Sequence, residues 1–431
     1  MKKLIFIETS DLGTRYCADA AQLLGFEPIF VTRINSHQGD TKLQLLEQSL
    51  IEADTTDAEK IILAINEQLK SEEIAGIVTF LDSRLSVAIE VGAKIGVETL
   101  DHSLLLIKSK AEVQKLIPEY SPTSFLLDAK CENSWVNLNQ FLDQHSNSKW
   151  ILKPALTAGA FGMGYLNHES TPLLVDEIRK AIDSIQLPKH LSNPKWLIQQ
   201  CVEGDLVSLE GFVINGVIHK LGITGRGKVH LTESRVIFPS KIPYHYHQEP
   251  RMLLALEALV SRSGFKNGYF HTEFLFNSKQ QAVLIDANFG RIGGGSLLEQ
   301  ISLSYGISES HLAAHVIAVG LPKTAGSLEN KLRPSVKSHH ELNDTLGVLY
   351  GAATEGFLES VLGTDRLSSS LEGVRAARLL DDGQEIPAMG INNWGWVGTL
   401  SGRTKDVEKI AQNAVVHIRR ENHIHEEPLC Y

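Results

Sequence analysis

Acidic and amide side chains recur in two neighbouring apolar segments of the chain. Glu273 interrupts the segment 271–276, and Asp286 and Asn288 fall within the segment 284–290. Turn-forming residues at 277–279 separate the two segments, so the pattern predicts a hairpin of two strands. A carboxylate in apolar surroundings needs a partner, and carboxylate and amide oxygens are ligands that suit Mg²⁺. The hairpin therefore predicts a magnesium site, with a pair of solvent-facing acids as the alternative.

Basic residues that could meet phosphate lie on both sides of this hairpin in the sequence. Arg291 follows the hairpin and precedes three glycines at 293–295, which let backbone approach a ligand. Lys153 ends a predicted strand and precedes a glycine-containing loop, whose N–H groups could bind phosphate oxygens. The loop is not a P-loop, because GxxxxGK[ST] is absent. Lys110 lies near the start of a predicted helix and, taken alone, fits an ordinary surface lysine.

Length and composition limit the classes of protein. The 431 residues predict about three domains, and 43% hydrophobic residues can form sizeable cores. A formal net charge of −10 argues against a general nucleic-acid binder and against an anionic membrane surface. No apolar run is long enough for a membrane span. The four cysteines form no CxxC pair and fit reduced thiols, so we expect a cytoplasmic protein without a zinc site.

Strand and helix patterns alternate through the first hundred residues, which predicts a parallel, doubly wound sheet with a ligand crevice at the carboxyl ends of its strands. The loops there lack a GxGxxG fingerprint, so a dinucleotide is not expected. Further along, the patterns predict a helix at 102–117, strands at 196–202 and 207–220, a loop-rich crossing at 221–250, and a final helix at 406–420 followed by a polar tail. Domain boundaries are predicted near 105 and 325.

The order and spacing of these basic and acidic residues resemble those of ATP-grasp enzymes. The chain is similar to the carboxylate–amine ligases of that superfamily, particularly the L-amino acid ligases that form dipeptides. The resemblance covers the whole chain and implies an α/β ATP-grasp fold. It divides the chain into a pre-ATP-grasp domain at 1–105, an ATP-grasp domain at 106–325 with its lid subdomain at about 115–200, and a C-terminal α+β lobe at 326–431.

The resemblance also implies roles for individual residues. Two lysines would hold the α and β phosphates of ATP, and a glycine loop would cover them: Lys110, Lys153, Gly159, Ala160 and Gly162. Adenine would be read at the hinge by Gln199, Gln200 and the backbone near Val202. Leu206 stands where a ribose-binding glutamate is expected, so either Asp205 or Glu210 would replace it or the contact would be lost. Glu273, Asp286 and Asn288 would hold two Mg²⁺ ions, for which Mn²⁺ could substitute.

Catalysis in such a ligase passes through an acyl phosphate, which an amine attacks to give an amide, ADP and phosphate. The resemblance implies that Arg291 stabilises the transferring phosphoryl group and the carboxylate that receives it. Asn288 and the N–H groups of Gly293 and Gly294 would lie near that carboxylate. Two departures concern this region: Asp286 replaces a usual glutamate, and two residues instead of one separate Asn288 from Arg291. His271 shares a strand face with Glu273 and could contact substrate. Arg226 is predicted on a loop beside the acceptor amine, where a solvated arginine is the alternative.

Three functions remain open at this point. The first is an ATP-dependent ligase that joins a small carboxylate, such as an amino acid, to an amine. The second keeps the ATP site but changes the acceptor, as in glycinamide ribonucleotide synthesis or a biotin-carboxylase-like reaction. The third is a nucleotide-binding regulator with a decayed site. The expected partners are small carboxylates and amines, not nucleic acid or membrane, and a homodimer is the expected assembly if the chain self-associates.

Overall fold

The computed structural model describes most of the 431 residues. The residues outside the description are 10–12, 147, 156–161, 168–169, 186–194, 231, 278, 280, 295, 365–373, 391–394 and 422.

The first hundred residues form a four-stranded parallel sheet with helices packed on both of its faces. The strands are β1 (Lys3–Ile7), β2 (Glu27–Thr32), β3 (Leu50–Glu52) and β4 (Ile74–Val78). The helices are α1 (Thr14–Leu23), α2 (Gly39–Leu46), α3 (Ala58–Gln68) and α4 (Leu85–Ile95). The strand order is β3-β2-β1-β4. Alternate side chains of β1 enter two different cores, Leu4 and Phe6 on one face and Ile5 and Ile7 on the other. The predicted doubly wound sheet is confirmed.

The segment predicted as one helix at 102–117 consists of two helices, α5 (Leu104–Ile107) and α6 (Lys110–Leu116). Ser109 separates them because its side chain caps α6, where its hydroxyl accepts a hydrogen bond from the N–H of Glu112 at 3.4 Å. Because of this break, Lys110 is the first residue of α6, and its side chain projects from the N-terminal end of that helix.

A separate antiparallel sheet follows, with its own hydrophobic core. Its strands are β5 (Ser124–Leu127), β6 (Trp150–Pro154), β7 (Gly164–Leu166) and β8 (Trp196–Gln200), and its helices are α7 (Glu132–Gln144) and α8 (Thr171–Ser184). The strand order is β5-β8-β6-β7. This sheet carries Lys153 near the end of β6, and Gln199 and Gln200 at the end of the neighbouring β8.

The largest sheet has eight strands. They are β9 (Leu206–Ile214), β10 (Val217–Val229), β11 (Thr232–Phe238), β12 (Gly268–Phe276), β13 (Ala282–Phe289), β14 (Thr345–Tyr350), β16 (Val374–Arg378) and β18 (Gly398–Arg403). Their order is β13-β12-β9-β10-β11-β14-β18-β16. Helices α9 (Pro243–His247), α10 (Glu249–Ser263), α11 (Leu297–Tyr305), α12 (Glu309–Gly320) and α13 (Glu329–Leu332) accompany it.

The predicted loop-rich crossing at 221–250 is wrong, because most of this segment belongs to β10, β11 and α9. Several glycines of this segment lie inside β10, where neighbouring side chains approach the backbone. A Cβ on Gly222, for example, would lie 2.8 Å from the ring of Phe238. The glycines therefore report close packing within a strand and not a turn.

The C-terminal part adds a four-stranded antiparallel sheet, of order β17-β15-β19-β20, with strands β15 (Gly356–Leu362), β17 (Glu385–Ile386), β19 (Val415–Arg420) and β20 (His423–Pro428) and helix α14 (Thr404–Asn413). The predicted final helix at 406–420 is wrong in its second half, and the predicted polar tail contains β20. Val416 and Ile418 are buried on one face of β19, which is the two-residue period of a strand. This strand pairs with β15 on one side and with β20 on the other.

The C-terminal part is not separated from the large sheet. Strands β14, β18 and β16 continue that sheet beyond β11 by antiparallel pairing. The boundaries near 105 and 325 therefore stay predictions. Among the residues that the structure describes, we find no helix with both the length and the apolar character needed to cross a membrane.

Candidate active site

The metal-binding residues predicted from the sequence lie on one hairpin, formed by β12 and β13. Glu273 pairs directly with Asp286 across the two strands, and His271 pairs with Asn288. Residues two apart on a strand share a face, and directly paired residues have Cβ atoms about 4.5–5.5 Å apart. The carboxylates of Glu273 and Asp286, the amide of Asn288 and the ring of His271 therefore project from the same face.

Lys110 reaches this hairpin from the start of α6. Its Nζ lies 3.0 Å from Oδ1 of Asp286. Burial lowers the pKa of Lys110, but the charge of Asp286 and its hydrogen bond outweigh burial, and the pKa is raised overall. Lys110 is thus a protonated lysine within the acidic site, and the interpretation of it as an ordinary surface lysine is wrong.

Lys153 lies close enough to Lys110 for the two charges to interact, and its pKa is shifted in the opposite direction to that of Lys110. The pKa of Lys153 is lowered to about 8, mainly by burial and in part by the nearby Lys110 ammonium, while Asp286 and Glu273 act against the shift. A second cation in this place is stabilised only when more negative charge arrives. Polyphosphate is a ligand that supplies such charge.

Arg226 is not on a solvated loop, and that prediction is wrong. It lies in β10, and only 6% of its side chain is exposed. Its guanidinium forms an ion pair with Glu233, and its Nη2 lies 3.6 Å from Oε1 of Glu273. Cations around Glu273 lower the pKa of its carboxyl, although burial alone would raise it. Arg226 therefore holds part of the acidic site ionised.

His271 bonds to protein groups through both ring nitrogens. Nδ1 lies 2.9 Å from Oε1 of Glu210, and Nε2 lies 3.1 Å from Arg226 and 3.4 Å from Glu273. A guanidinium only donates, so a neutral ring accepts from Arg226, whereas a protonated ring donates to Glu273. Burial lowers the pKa of His271, but the adjacent acids raise it to about 9 overall. Direct contact of His271 with substrate stays a prediction.

Two charged residues of this site, Glu233 and Lys228, were missed by reasoning from the sequence. Glu233 pairs with Arg226, and burial raises the pKa of its carboxyl. Lys228 lies two residues beyond Arg226 on β10 and lines the cleft. The alternation of glycine with Arg226 and Lys228 at 225–228 was the available signal. It has the period of a strand that directs two basic side chains to one face.

Arg291 follows the hairpin after a sharp turn at Gly290, whose φ of +83° favours glycine. Its Nη1 donates to the carbonyl of Ile292 at 3.0 Å, and its Nε is buried without a hydrogen-bond partner among the described residues. A buried unsatisfied donor is costly, and an anionic ligand would satisfy it. Gly293 packs on the ring of His271, where a Cβ would lie 2.7 Å from Nδ1, while a Cβ on Gly294 would meet open space.

A cleft of about 770 Å³ opens between the antiparallel sheet of β5–β8 and the large sheet. Its lining includes several residues predicted to bind nucleotide, namely Lys153, Gln199, Gln200, Val202 and Asp205. Gln199 is 2% exposed, and its Nε2 has no hydrogen-bond partner among the described residues. An amide donor left open at the cleft wall suits the ring nitrogens of a purine. Gly159 and Ala160 lie outside the described residues, while Gly162 has a φ of +71° and packs against Pro154.

The two substitutes considered for a ribose ligand at Leu206 differ in their positions. Glu210 is 1% exposed and accepts hydrogen bonds from His271 and from the hydroxyl of Thr224 at 3.0 Å, so it does not reach the cleft. That candidate is wrong. Asp205 lines the cleft with an exposed side chain, and its ribose contact stays a prediction.

The donor set of the hairpin suits a hard cation. Among the described residues no group of three His, Cys, Asp or Glu side chains converges as a metal site. The hairpin instead offers two carboxylates and one amide oxygen, and Mg²⁺ is commonly held by one or two carboxylates together with substrate phosphates. Lys110 and Arg226 neutralise these carboxylates in the present arrangement. The residues fit Mg²⁺ that arrives together with polyphosphate.

Residues 146–299 match the family described as ATP-grasp domain. The ATP-grasp fold predicted for the whole chain is confirmed, because solved structures of that fold superpose on nearly all of it.

Three of these solved structures have similar scores. The L-amino acid ligase from Bacillus licheniformis is 15% identical, with a TM-score of 0.71, over 97% of this chain and 99% of that one. Phosphoribosylglycinamide synthetase from Anaerococcus prevotii is 14% identical, with a TM-score of 0.69, over 97% and 100%. The biotin carboxylase domain of Hydrogenobacter thermophilus 2-oxoglutarate carboxylase is 14% identical, with a TM-score of 0.68, over 100% and 92%. A search of curated proteins gives no match.

Replacing Lys153 by Ala is expected to weaken ATP binding about ten- to a hundredfold, the size of one charge-assisted hydrogen bond of about 1.5–3 kcal/mol. Titration calorimetry with ATP and Mg²⁺ measures the change. Lys180→Ala, which removes an exposed lysine from α8 of the same subdomain, is the control and should bind as the wild type does. Equal affinity in the Lys153 and Lys180 variants would show that Lys153 does not contact phosphate.

The affinity for ATP is also expected to fall as pH rises above about 8. The pKa of Lys153 is about 8 in the free protein, and bound phosphate raises it, so binding above that pH requires proton uptake. The dissociation constant should then approach a tenfold increase per pH unit. Measurement between about pH 7 and 9.5 tests this, and Lys153→Arg, which stays charged, should flatten the profile. A wild-type profile as flat as that of the arginine variant would contradict it.

Proposed function

We propose that this protein is an ATP-dependent carboxylate–amine ligase that forms an amide and releases ADP and phosphate. The observation that carries the proposal is the pairing of Glu273 with Asp286 on one hairpin face, with Lys110 in an ion pair with Asp286 and Lys153 within electrostatic reach of all three. Lys153 lines a cleft large enough for a nucleotide, and the charges of Lys110, Asp286 and Glu273 lie close enough to Lys153 to shift its pKa. The ATP-grasp fold gives independent support.

Each residue then has a task in the transfer of the γ-phosphoryl group. A carboxylate is a poor electrophile, and phosphorylation converts it into an acyl phosphate that an amine can attack. Lys110 and Lys153 orient the polyphosphate and neutralise its charge, as phosphoryl transfer depends mainly on positioning and electrostatics. Mg²⁺, held by Glu273, Asp286 and Asn288, would add charge neutralisation when bound. The free Nε of Arg291 is available to the carboxylate that receives the phosphoryl group.

The substrate carboxylate is proposed to enter beside Arg291 and Gly294. The open space at Gly294 leaves room for a ligand next to its backbone. His271, held by Glu210, would position Glu273 and the wall formed by Gly293. We propose amino acids as the substrate class, supported by the similarity in fold to an L-amino acid ligase over almost the full length of both chains. A ligase with the same ATP site and a different acceptor is the alternative.

The test is product analysis with the purified protein, ATP, Mg²⁺ and pairs of amino acids. We expect ADP and phosphate in equal amounts together with a new amide detected by mass spectrometry. A parallel screen of other amines and of bicarbonate distinguishes an amino acid ligase from ligases with different acceptors. Release of AMP and pyrophosphate would refute the mechanism. ATP binding without turnover across both screens would favour a nucleotide-binding regulator.

A further inference from the structure

A second pocket of about 360 Å³ lies away from the nucleotide cleft and shares none of its lining residues. Its walls come from α1 and α2 of the N-terminal domain, from α11 and α12, and from β16 and β18 of the large sheet. The volume is within the range of small-molecule sites. We call it the interdomain pocket.

The interdomain pocket carries more acids than bases. Its ionisable carboxyls are Asp19, Asp40, Glu299 and Glu309, and its guanidinium groups are Arg15 and Arg375. Three of the acids bond to the protein. Glu309 accepts from Nε of Arg375 at 3.3 Å, Asp19 accepts from the hydroxyl of Ser310 at 3.3 Å, and Asp40 accepts from the N–H of Arg378 at 2.9 Å.

Glu299 differs from the other three acids. It lies in the first turn of α11 and is 5% exposed. Its only hydrogen bond among the described residues comes from its own backbone N–H. The pKa of its carboxyl is raised to about 7, mainly by burial and in part by the nearby Glu309, while Arg375 acts against the shift. Among the described residues Glu299 forms no ion pair. A buried carboxylate in this situation is costly, and Glu299 lines a pocket with room for a cation.

We propose that the interdomain pocket binds a small molecule bearing a primary ammonium group, which forms an ion pair with Glu299. An ammonium group has three donors and no acceptor, which suits a pocket lined by both Glu299 and Asp19. Arg15, which lines the pocket from α1, would receive the carboxylate of an amino acid. The proposal concerns binding at a site separate from catalysis, so it does not depend on the proposed ligase activity.

Titration calorimetry and thermal shift with 1,4-diaminobutane and with glycine, in the absence of ATP, test the proposal. Propionate, which lacks the ammonium group, is the negative ligand. We expect saturable binding of at least one amine to the wild type. The affinity in Glu299→Gln should be about ten- to a hundredfold lower, as expected for loss of one charge-assisted contact. Glu408→Gln removes an exposed acid from α14 and is the charge-matched control, with unchanged affinity.

Two further variants locate the binding. Arg291→Ala alters the proposed active site and should leave amine binding intact. Ala376→Trp places a large side chain on the β16 wall of the interdomain pocket without changing charge, and it should abolish binding even if Glu299→Gln fails to fold. Loss of binding in Arg291→Ala with retention in Ala376→Trp would place the amine in the active site and overturn the proposal. Absence of saturable amine binding at millimolar concentrations, or equal binding of propionate, would also overturn it.

Discussion

Replacing Glu273 by Gln is expected to abolish Mg²⁺-dependent ADP formation, with a loss of about a thousandfold or more. The amide keeps the volume of the side chain but removes the charge that would hold the metal. A metal ion contributes several kcal/mol of transition-state stabilisation, and each 1.36 kcal/mol is a factor of ten in rate. Asp286→Asn should behave in the same way, because Asp286 is the direct cross-strand partner of Glu273.

Glu257→Gln, which changes an exposed acid on α10, is the matched control and should keep wild-type turnover. Circular dichroism verifies that each variant folds. Glu273→Gln leaves Arg226 with Glu233 as its partner, so we expect the hairpin to remain intact. Normal turnover of either site variant across a Mg²⁺ titration would show that its acid is structural, and the proposed metal site would then be wrong.

Arg291→Ala is expected to reduce trapping of the acyl phosphate by hydroxylamine about a hundred- to a thousandfold while ATP affinity changes by less than about threefold. Loss of one donor aimed at developing charge has this effect on kcat in other enzymes. An interaction made mainly in the transition state lowers turnover more than binding. The motivation is the buried Nε of Arg291, which lacks a partner among the described residues.

Arg291→Lys is the informative companion, since it keeps the charge but loses the planar set of donors. We expect it to recover part of the hydroxamate yield. Hydroxamate measured by colorimetry and ATP affinity measured by calorimetry separate the two effects. If ATP affinity falls as far as the hydroxamate yield in Arg291→Ala, Arg291 binds nucleotide and not the reacting carboxylate.

Local sequence patterns predicted the structure correctly where the residues that form the pattern also form the element. The apolar segments around Glu273 and Asp286 predicted a hairpin, and the strands pair in register with these two acids opposite each other. Because side chains alternate between the two faces of a strand, the sequence of each strand alone shows which residues share a face. The alternating elements of the first hundred residues likewise predicted the parallel sheet that is observed.

Local patterns failed where a neighbour in space decided the outcome. Residues 415–420 fit a helix in isolation, but β15 and β20 offer hydrogen bonds on both sides, and the segment is a strand. Residues 221–250 were predicted as a loop-rich crossing, but the glycines at 222, 225 and 227 lie in β10, close to side chains of β11 or of the residues that follow it. Tertiary contacts of this kind override intrinsic preference, which amounts to about 1 kcal/mol or less per residue.

The sequence by itself determined which residue types could hold metal and phosphate, and the fold class that carries them. Only the tertiary structure decided the partners of those residues. It turned Glu210 away from the cleft and onto His271, buried Arg226 between Glu233 and Glu273, and left Glu299 facing the interdomain pocket. The physical reason is that the pKa and reach of a charged group depend on burial and on charges within a few ångströms, and residues distant in the sequence supply both.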